Sequence, residues 1–385
     1  MTVVEVSVLK RRHHFEAARA TRAEIDLLAL RTNFRLARRI VGARVGVLSV
    51  VKADAYGHGA VAVSKVLVEE GTEMLGVATL GEASELRDAG IEVPLLLLGG
   101  IYPDEAEGVV ELSLTPALFS LDVAERLDRA AGRYGRRVKY HLKVDTGMNR
   151  LGIRPEDLDS FLDRLRCYRH IEMEGVFSHL ADADLPGGGE SVERQLEVFD
   201  AVLARVERAG FRPRYRHIAN SAALQRFPSS HYNLVRPGIM LYGASAACGF
   251  ELRPVMTLKS RVLQVKAVPA GAAVSYGGTF VAARPSVLAV LPVGYADGYM
   301  RALSNRAWVR IRETRAPVVG TVCMDLTVVD VTGVEGVSCG DEAVLFGAGG
   351  PPVDELARMA DTISYELLSI VGKRVPRHYV RGSEA

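Results

Sequence analysis

Between residues 45 and 236, short apolar runs alternate with longer amphipathic runs. The short runs are rich in β-branched residues, as buried parallel strands are, whereas the longer runs repeat at helical spacing. The clearest helix is 191–209, in which apolar residues recur every three to four positions. The eight predicted strands are 45–51, 74–79, 93–98, 115–119, 139–144, 173–178, 215–219 and 234–236.

Eight strands that each precede a helix are typical of a (β/α)₈ barrel, the TIM-barrel fold, which takes about 200–250 residues. An open, doubly wound sheet has the same alternation, so strand counting alone leaves both architectures open. Catalytic side chains of such barrels gather at the C-terminal ends of the strands. The residues that follow each strand are therefore the candidates for chemistry.

The pattern changes after about residue 243, where Gly and Pro turns separate strand-like runs. We predict an α/β plus β protein: an N-terminal (β/α)₈ barrel over 27–247 and a C-terminal, mainly β domain over 248–385. Residues 15–26 are expected to add a strand to the second domain, and residues 1–14 to form a tail. The strands predicted for that domain are 255–268, 273–280, 286–293, 308–311, 316–322, 327–331 and 342–346, with helices at 353–359 and 363–371.

Lys52 stands where the first predicted strand ends and a glycine-punctuated turn begins. A lysine desolvated in such a place has its ammonium form disfavoured, so its pKa falls and its neutral amine can act as nucleophile or base. The alternative is a lysine that merely extends from the strand end into solvent. Because the chain has only eight lysines, few others could form a Schiff base.

The run Val51-Lys52-Ala53-Asp54-Ala55-Tyr56-Gly57-His58-Gly59 resembles the cofactor signature of the alanine racemases. Further matches extend the resemblance from about Thr21 to Arg377. It implies that Lys52 holds pyridoxal 5′-phosphate covalently. It also implies an isomerase that interconverts L-alanine and D-alanine, and so supplies D-alanine for the peptidoglycan of the cell wall.

Two strand ends have the composition of a phosphate site. Asn220 and Ser221 follow the seventh strand and open a short helix, so backbone N–H groups and the Ser221 hydroxyl suit an anion, although a simple helix cap is the alternative. Gly238 follows the eighth strand and permits close backbone approach, and barrels commonly bind phosphate after these two strands. By resemblance, the phosphate contacts are Tyr56, Ser221, Gly238, Ile239 and Tyr365.

Arg236 ends the eighth strand and, by resemblance, faces the pyridine nitrogen of the cofactor with His217 beside it. Arginine is protonated at working pH and carries only donors, so it does not encourage protonation of that nitrogen as an aspartate would. The ring is then a weaker electron sink, which favours racemisation over transamination. The alternative is an arginine in an ordinary surface ion pair.

Racemisation needs an acid/base group on each face of the α-carbon. Lys52 serves one face, and the resemblance assigns the other to Tyr276 of the partner subunit, which implies a homodimer with shared active sites. The partner subunit's Tyr295 would narrow the substrate entrance, and the partner's Met324 would bind the substrate carboxylate through its backbone N–H. Asp325 lies in the same motif as Met324.

Three further residues complete the predicted barrel mouth. Arg150 resembles the residue that binds the substrate carboxylate and the cofactor phenolate, for which a guanidinium fork is suited. Lys143 matches a position that many family members carry as a carbamate, and His179 would stack on the cofactor ring or hydrogen-bond Tyr276. A metal site of His179 with Asp182 and Asp184 is possible, but we predict no metal because the other strand ends supply no convincing further ligands.

Composition limits the remaining classes. A composition of 48% hydrophobic and 24% charged residues is that of an ordinary globular protein. A net charge of +2 gives no electrostatic field strong enough to attract nucleic acid or an anionic membrane. Four scattered cysteines and the absence of a secretory pattern near Met1 predict a cytoplasmic protein. The alternatives to an alanine racemase are a racemase of serine, lysine or a broader set, a non-catalytic cofactor-binding protein, and a metal-dependent barrel hydrolase.

Overall fold

Eight short parallel strands form a nearly closed barrel in the computed structural model, which describes residues 19–244 and 250–381. The strand order is β8-β7-β6-β5-β4-β3-β2-β9, and the backbone N–H of Arg236 donates to Ala219 O at 3.0 Å across the gap between β8 and β9. The predicted barrel is confirmed, and the tail 1–14 lies outside the described residues. The barrel strands are β2 (Gly46–Val50), β3 (Met74–Val77), β4 (Leu95–Leu97), β5 (Thr115–Leu118), β6 (Val138–Lys143), β7 (Ile171–Phe177), β8 (Tyr215–His217) and β9 (Leu234–Val235).

Amphipathic helices cover the outside of the barrel. The longest, Gly189–Arg208, lies within two residues of its prediction because Val192, Phe199 and Val206 form one fully buried stripe. No helix of the described ranges is both long and apolar enough to cross a membrane. The helices of this part of the chain are α1 (Leu27–Val41), α2 (Lys52–Gly57, a left-handed turn), α3 (Ala60–Glu69), α4 (Leu80–Asp88), α5 (Ala106–Glu111), α6 (Leu121–Arg133), α7 (Leu158–Leu165), α8 (Gly189–Arg208) and α9 (Ser221–Arg226).

The C-terminal part is mainly β, as predicted, and its largest sheet has the order β16-β15-β18-β10-β1-β19. β1 (Arg22–Asp26) precedes the barrel in sequence but lies in this sheet, antiparallel to β10 and parallel to β19. The remaining elements are β10 (Met256–Arg261), β11 (Gln264–Val268), β12 (Ala273–Val274), β13 (Phe280–Val281), β14 (Ser286–Leu291), β15 (Trp308–Ile311), β16 (Thr314–Pro317), β17 (Thr327–Asp330), β18 (Glu342–Phe346), α10 (Val353–Met359), α11 (Ser364–Ser369) and β19 (Arg377–Val380).

Three predicted strands are wrong in their extent. The run 255–268 is two strands in different sheets, because Val262 N donates to Asp341 O and Leu263 N to Val290 O, so the chain changes sheets there. The run 273–280 is a short hairpin whose turn has Ser275, Gly277 and Gly278 at positive φ. The run 316–322 leaves its strand after Pro317.

Candidate active site

A cavity of about 480 Å³ opens at the C-terminal ends of the barrel strands, a volume in the range typical of small-ligand sites. Ile363 and Tyr365 of the C-terminal part form one wall of it. The lining brings together most of the predicted cofactor and substrate residues, namely Lys52, Tyr56, Lys143, Arg150, His179, Asn220, Ser221, Arg236, Gly238, Ile239 and Tyr365.

Lys52 lies two residues beyond the end of β2 and begins the left-handed turn α2. Burial and the nearby charge of Arg150 lower the pKa of Lys52, and Glu82 offsets only part of this effect. Ala53, Asp54, Ala55 and Tyr56 all have φ of 52° to 54°. Left-handed geometry costs a residue other than glycine roughly 1–2 kcal/mol, so this turn depends on contacts with the surrounding structure.

The predicted phosphate site lies where Tyr56 approaches the end of β9. A Cβ added to Gly238 would lie 2.5 Å from the Tyr56 hydroxyl, so only glycine leaves this space open. Ser221 Oγ accepts from the backbone N–H of Gly238 at 2.9 Å, and its own hydrogen remains available to an anion. Asn220 caps α9 by accepting from Ala223 N at 2.9 Å, so the helix-cap interpretation also holds.

Arg236 lies in the cavity lining and is almost fully buried. Its guanidinium donates to Ser178 O at 2.8 Å, to Ile218 O at 3.0 Å and to His217 Nδ1 at 2.9 Å. Burial lowers the pKa of Arg236 to about 9, so it stays protonated at neutral pH. His179 Nδ1 lies 3.2 Å from the same guanidinium, and burial together with the charge of Arg236 lowers its pKa well below the ordinary value.

A chain of imidazoles continues from Arg236 into the barrel. Because Arg236 only donates, His217 Nδ1 must accept, and His217 Nε2 then donates to His141 Nδ1 at 2.8 Å. His141 in turn places its Nε2 at 3.6 Å from Glu174. His217 therefore does not line the cavity but positions the arginine that does. His141 was missed by sequence reasoning, since nothing in its strand distinguishes it from a core residue.

Four cations, those of Lys52, Lys143, Arg150 and Arg236, line this cavity. Burial and the charges of Arg236, Arg150 and Lys52 lower the pKa of Lys143 to about 8. Asp184 is the one carboxylate in the lining formed by the described residues. The site is therefore suited to a ligand with several negative charges. No group of three metal-ligating side chains occurs in the described ranges.

Tyr276, Met324 and Asp325 lie elsewhere, in a second depression on the C-terminal part of about 590 Å³. Tyr276 is 73% exposed, Met324 53% and Tyr295 43%, which is unusual for large apolar or aromatic side chains. Within a single chain these predicted residues do not join Lys52 in its cavity.

A network of partly buried ion pairs that sequence reasoning missed supports the exposed residues. Asp297 accepts from the guanidinium groups of Arg19 at 2.5 Å and Arg374 at 2.6 Å, and Arg374 also donates to Asp325 at 2.5 Å. Burial alone would raise the pKa of Asp297, but these donors outweigh it and lower the pKa. The network ties the turn that carries Tyr295 to the loop that carries Met324.

Comparison with known proteins identifies the family. A family model described as alanine racemase, N-terminal domain, matches residues 25–246, and one described as alanine racemase, C-terminal domain, matches residues 255–379. The chain belongs to the alanine racemase family. The alanine racemase of Geobacter sulfurreducens is 46% identical over 376 residues, which is 95% of this chain and 98% of that relative. The alanine racemase of Symbiobacterium thermophilum is 47% identical over 371 residues, 94% of this chain and 98% of that relative.

Solved alanine racemases share the whole architecture. The enzyme from the D-cycloserine producer Streptomyces lavendulae gives a TM-score of 0.90 at 37% identity, covering 95% of this chain and 98% of that one. The alanine racemase of Bartonella henselae, solved with covalently bound pyridoxal phosphate, gives 0.86 at 31% identity, covering 94% and 99%. The family depends on this cofactor.

The barrel cavity of this alanine racemase family member fits pyridoxal phosphate. It holds an amine of lowered pKa in Lys52, an open cradle between Tyr56 and Gly238, and an excess of cations over carboxylates. These are the features that a covalently bound, phosphorylated aldehyde requires.

Proposed function

We propose that the protein interconverts L-alanine and D-alanine with pyridoxal phosphate bound in the barrel cavity and with two bases, Lys52 and Tyr276 of the partner subunit. The proposal is supported above all by one observation: the buried amine of Lys52 shares its cavity with a phosphate cradle and with Arg236. The reaction, the racemisation of alanine, is inferred from membership of the alanine racemase family.

The residues have separate tasks in binding. Ser221, Gly238, Ile239 and Tyr56 would hold the phosphate, with Tyr365 closing the site from the C-terminal part. When bound, pyridoxal phosphate supplies the electron sink that makes the α-hydrogen of an amino acid acidic.

The cationic side chains would orient the cofactor and the amino-acid substrate. Arg236 would present donors and no acceptor to the ring nitrogen, which keeps that nitrogen unprotonated. Arg150 would bind the substrate carboxylate through its guanidinium fork, together with the backbone N–H of the partner's Met324. Lys143 lies in the same lining and, as a carbamate, would become an anionic partner for Arg150.

Proton transfer would use the two faces of the α-carbon. Tyr276 Oη of the partner subunit would take the α-proton of L-alanine, and Lys52 Nζ would take that of D-alanine. When L-alanine is converted, Tyr276 removes the α-proton and Lys52 delivers one to the opposite face, and the roles are exchanged for D-alanine. One proton therefore leaves Cα and one arrives in each turnover. The lowered pKa of Lys52 suits this exchange, because burial disfavours its ammonium form.

The exposure of Tyr276, Met324 and Tyr295 supports a homodimer in which a second copy covers them and completes each cavity. The partner's Tyr276 and Tyr295 would crowd the entrance and favour a small side chain. We propose that the product D-alanine serves cytoplasmic peptidoglycan precursor synthesis.

The proposal is tested by incubating the purified protein with single L-amino acids in D₂O and following inversion and deuterium uptake at Cα. We expect inversion of alanine well above that of serine or lysine. Comparable rates on several amino acids would favour a broad racemase, and bound cofactor without inversion would favour a binding protein. Lys52→Ala should abolish the visible absorption of the bound cofactor.

A single substitution separates the two bases. Tyr276→Phe removes only the phenolic oxygen, so deuterium exchange should be lost from L-alanine and largely retained in D-alanine, where Lys52 takes the proton. Equal losses from both enantiomers would contradict the assignment of one base to each face.

A further inference from the structure

His58 is a buried histidine beside the left-handed turn α2, and the mechanism above does not use it. Its Nδ1 lies 2.9 Å from Ala55 O and 2.9 Å from Tyr56 O. Carbonyl oxygens only accept, so Nδ1 carries the hydrogen and donates to the turn. Burial lowers the pKa of His58 to about 4, so the ring is neutral.

The other nitrogen of this ring makes no comparable contact. Among the described residues, His58 Nε2 has no hydrogen-bond partner although it is buried. Among the described residues, the polar contacts of the His58 side chain therefore all come from Nδ1, and Nδ1 contacts only α2.

The ring of His58 also reaches Tyr56 through a stack of aromatic side chains. Its centroid lies 4.6 Å from that of Tyr242, and the Tyr242 ring lies 4.8 Å from that of Tyr56. The Tyr242 hydroxyl donates to Val50 O at 2.8 Å, which fixes the stack to the end of β2. His58 thus contacts the backbone carbonyl of Tyr56 directly. Its ring also reaches the Tyr56 ring indirectly, because the Tyr242 ring lies between them.

Other side chains hold the turn at its ends. Glu82 accepts from Ala53 N at 2.7 Å, and Arg377 donates to Gly57 O at 3.0 Å. His58 contacts the carbonyls of Ala55 and Tyr56, in the second half of the turn, where the backbone has φ of 52° and 54°. Unlike Glu82 and Arg377, His58 therefore contacts the part of the turn that positions the Tyr56 side chain in the predicted phosphate site.

We propose that His58 is a positioning residue, whose Nδ1–H holds the left-handed turn so that Lys52 and Tyr56 point into the cofactor cavity. The proposal rests on the cofactor-binding role proposed for those two residues. Loss of the donor removes the side-chain hydrogen bond from both carbonyls, of which Ala55 O keeps the backbone N–H of His58 at 3.1 Å. The turn can then relax at Tyr56, which displaces the Tyr56 hydroxyl from Gly238.

A matched pair of variants separates the donor from the volume of the ring. In His58→Asn the side-chain amide occupies the position of Nδ1, whereas in His58→Gln it occupies the position of Nε2. His58→Phe keeps the ring and the stack on Tyr242 but removes the donor. The measurements are the dissociation constant of pyridoxal phosphate from the apoprotein and the pH dependence of the visible absorption of the bound cofactor.

We expect His58→Asn to bind pyridoxal phosphate within about threefold of the unsubstituted protein and to keep its pH profile. His58→Gln and His58→Phe should each weaken binding at least tenfold and shift the profile, since the amine of Lys52 is no longer held in place. If His58→Phe does not fold, the comparison of His58→Asn with His58→Gln still tests whether the donor at the Nδ1 position is needed.

Equal cofactor affinity in the Asn and Gln variants would overturn the proposal. So would a lowered melting temperature of the apoprotein with unchanged affinity and pH profile, since that outcome means a purely structural histidine. Failure of the unsubstituted protein to bind the cofactor would overturn the proposed function itself, whereas normal binding with insensitive variants would overturn only the role of His58.

Discussion

At the scale of single residues, burial makes Lys52 and Lys143 chemically unlike surface lysines. Both lie among cations, and burial is the largest cause of the lowered pKa of each. Lys143 also has its Nζ 5.1 Å from the centre of the Phe177 ring and 3.5 Å from Leu98 O. A neutral amine can react with carbon dioxide, and a carbamate there would replace one of four clustered positive charges by a negative one.

We therefore predict that Lys143 is carbamylated. Protein equilibrated with ¹³C-bicarbonate should show a carbamate carbon in NMR that is missing from Lys143→Ala. Because the pKa of Lys143 is about 8, the reactive neutral fraction should rise as the pH increases from 7 to 9. Without the orienting anion beside Arg150, Lys143→Ala should raise the KM for alanine about tenfold. An unlabelled protein with an unchanged KM in the variant would contradict this prediction.

Lys52 and Arg236 could be predicted from the pattern, because each is the polar residue at which an apolar run ends. Arg150 lies seven residues beyond the end of β6, and its role was predicted by the resemblance to the alanine racemases. His58 and His141 could not be predicted, since their importance depends on which atoms their ring nitrogens meet across the fold. Sequence spacing carries no information on such contacts.

At the scale of elements, the left-handed turn α2 is the least expected feature. Ala53 has φ of 53° and an exposed side chain, so its methyl group adds backbone strain without packing against other residues. Its contact with Glu82 is made by the backbone N–H and does not depend on the side chain. Nothing in the residues Ala-Asp-Ala-Tyr signals left-handed backbone, which is normally the place of glycine.

Ala53→Gly should therefore leave the free energy of unfolding unchanged or raise it by up to about 1 kcal/mol. The control is Ala62→Gly in the right-handed helix α3, which should lower it by about 1 kcal/mol. Denaturant unfolding of the two variants gives the comparison. If Ala53→Gly lowered the free energy of unfolding as much as Ala62→Gly does, the turn would not be under left-handed strain.

Asp297 gives a second prediction at this scale. Since its folded pKa lies below the unfolded value, its stabilisation is present above about pH 3.9 and is lost as the pH falls through the folded pKa. Asp297→Asn should lower the free energy of unfolding by about 2–3 kcal/mol at pH 7, since its arginine partners are only partly buried.

The difference between Asp297→Asn and the unsubstituted protein should shrink as the pH falls below about 4. Asp361→Asn is the matched control, because Asp361 pairs with Arg306 in an exposed ion pair and should change stability little at any pH. A difference for Asp297→Asn that does not vary with pH would contradict the assignment of its stabilising effect to the charged carboxylate.

Element positions were predictable where burial imposes a period and unpredictable elsewhere. The eight barrel strands end within two residues of their predictions because both faces of each are covered. β19 was missed because its residues are mostly exposed, and 255–268 was read as one strand because its apolar pattern continues across the change of sheet.

At the scale of the whole molecule, the predicted site is divided between two surfaces. Lys52, Arg150 and Arg236 line the barrel cavity, while Tyr276 and Met324 lie exposed on the other part of the chain. No sequence pattern shows whether such residues meet within one chain or between two. The exposed aromatic and apolar side chains favour the second arrangement.

Complementation between inactive chains tests this division most directly. Lys52→Ala and Tyr276→Phe are each expected to abolish racemisation as homodimers. When the two are co-expressed at equal levels, half of the dimers are mixed, and one of the two cavities in each mixed dimer has both bases. We expect recovery of about one quarter of the unsubstituted activity. Mixed dimers that form but remain as inactive as their parents would contradict a site shared between subunits.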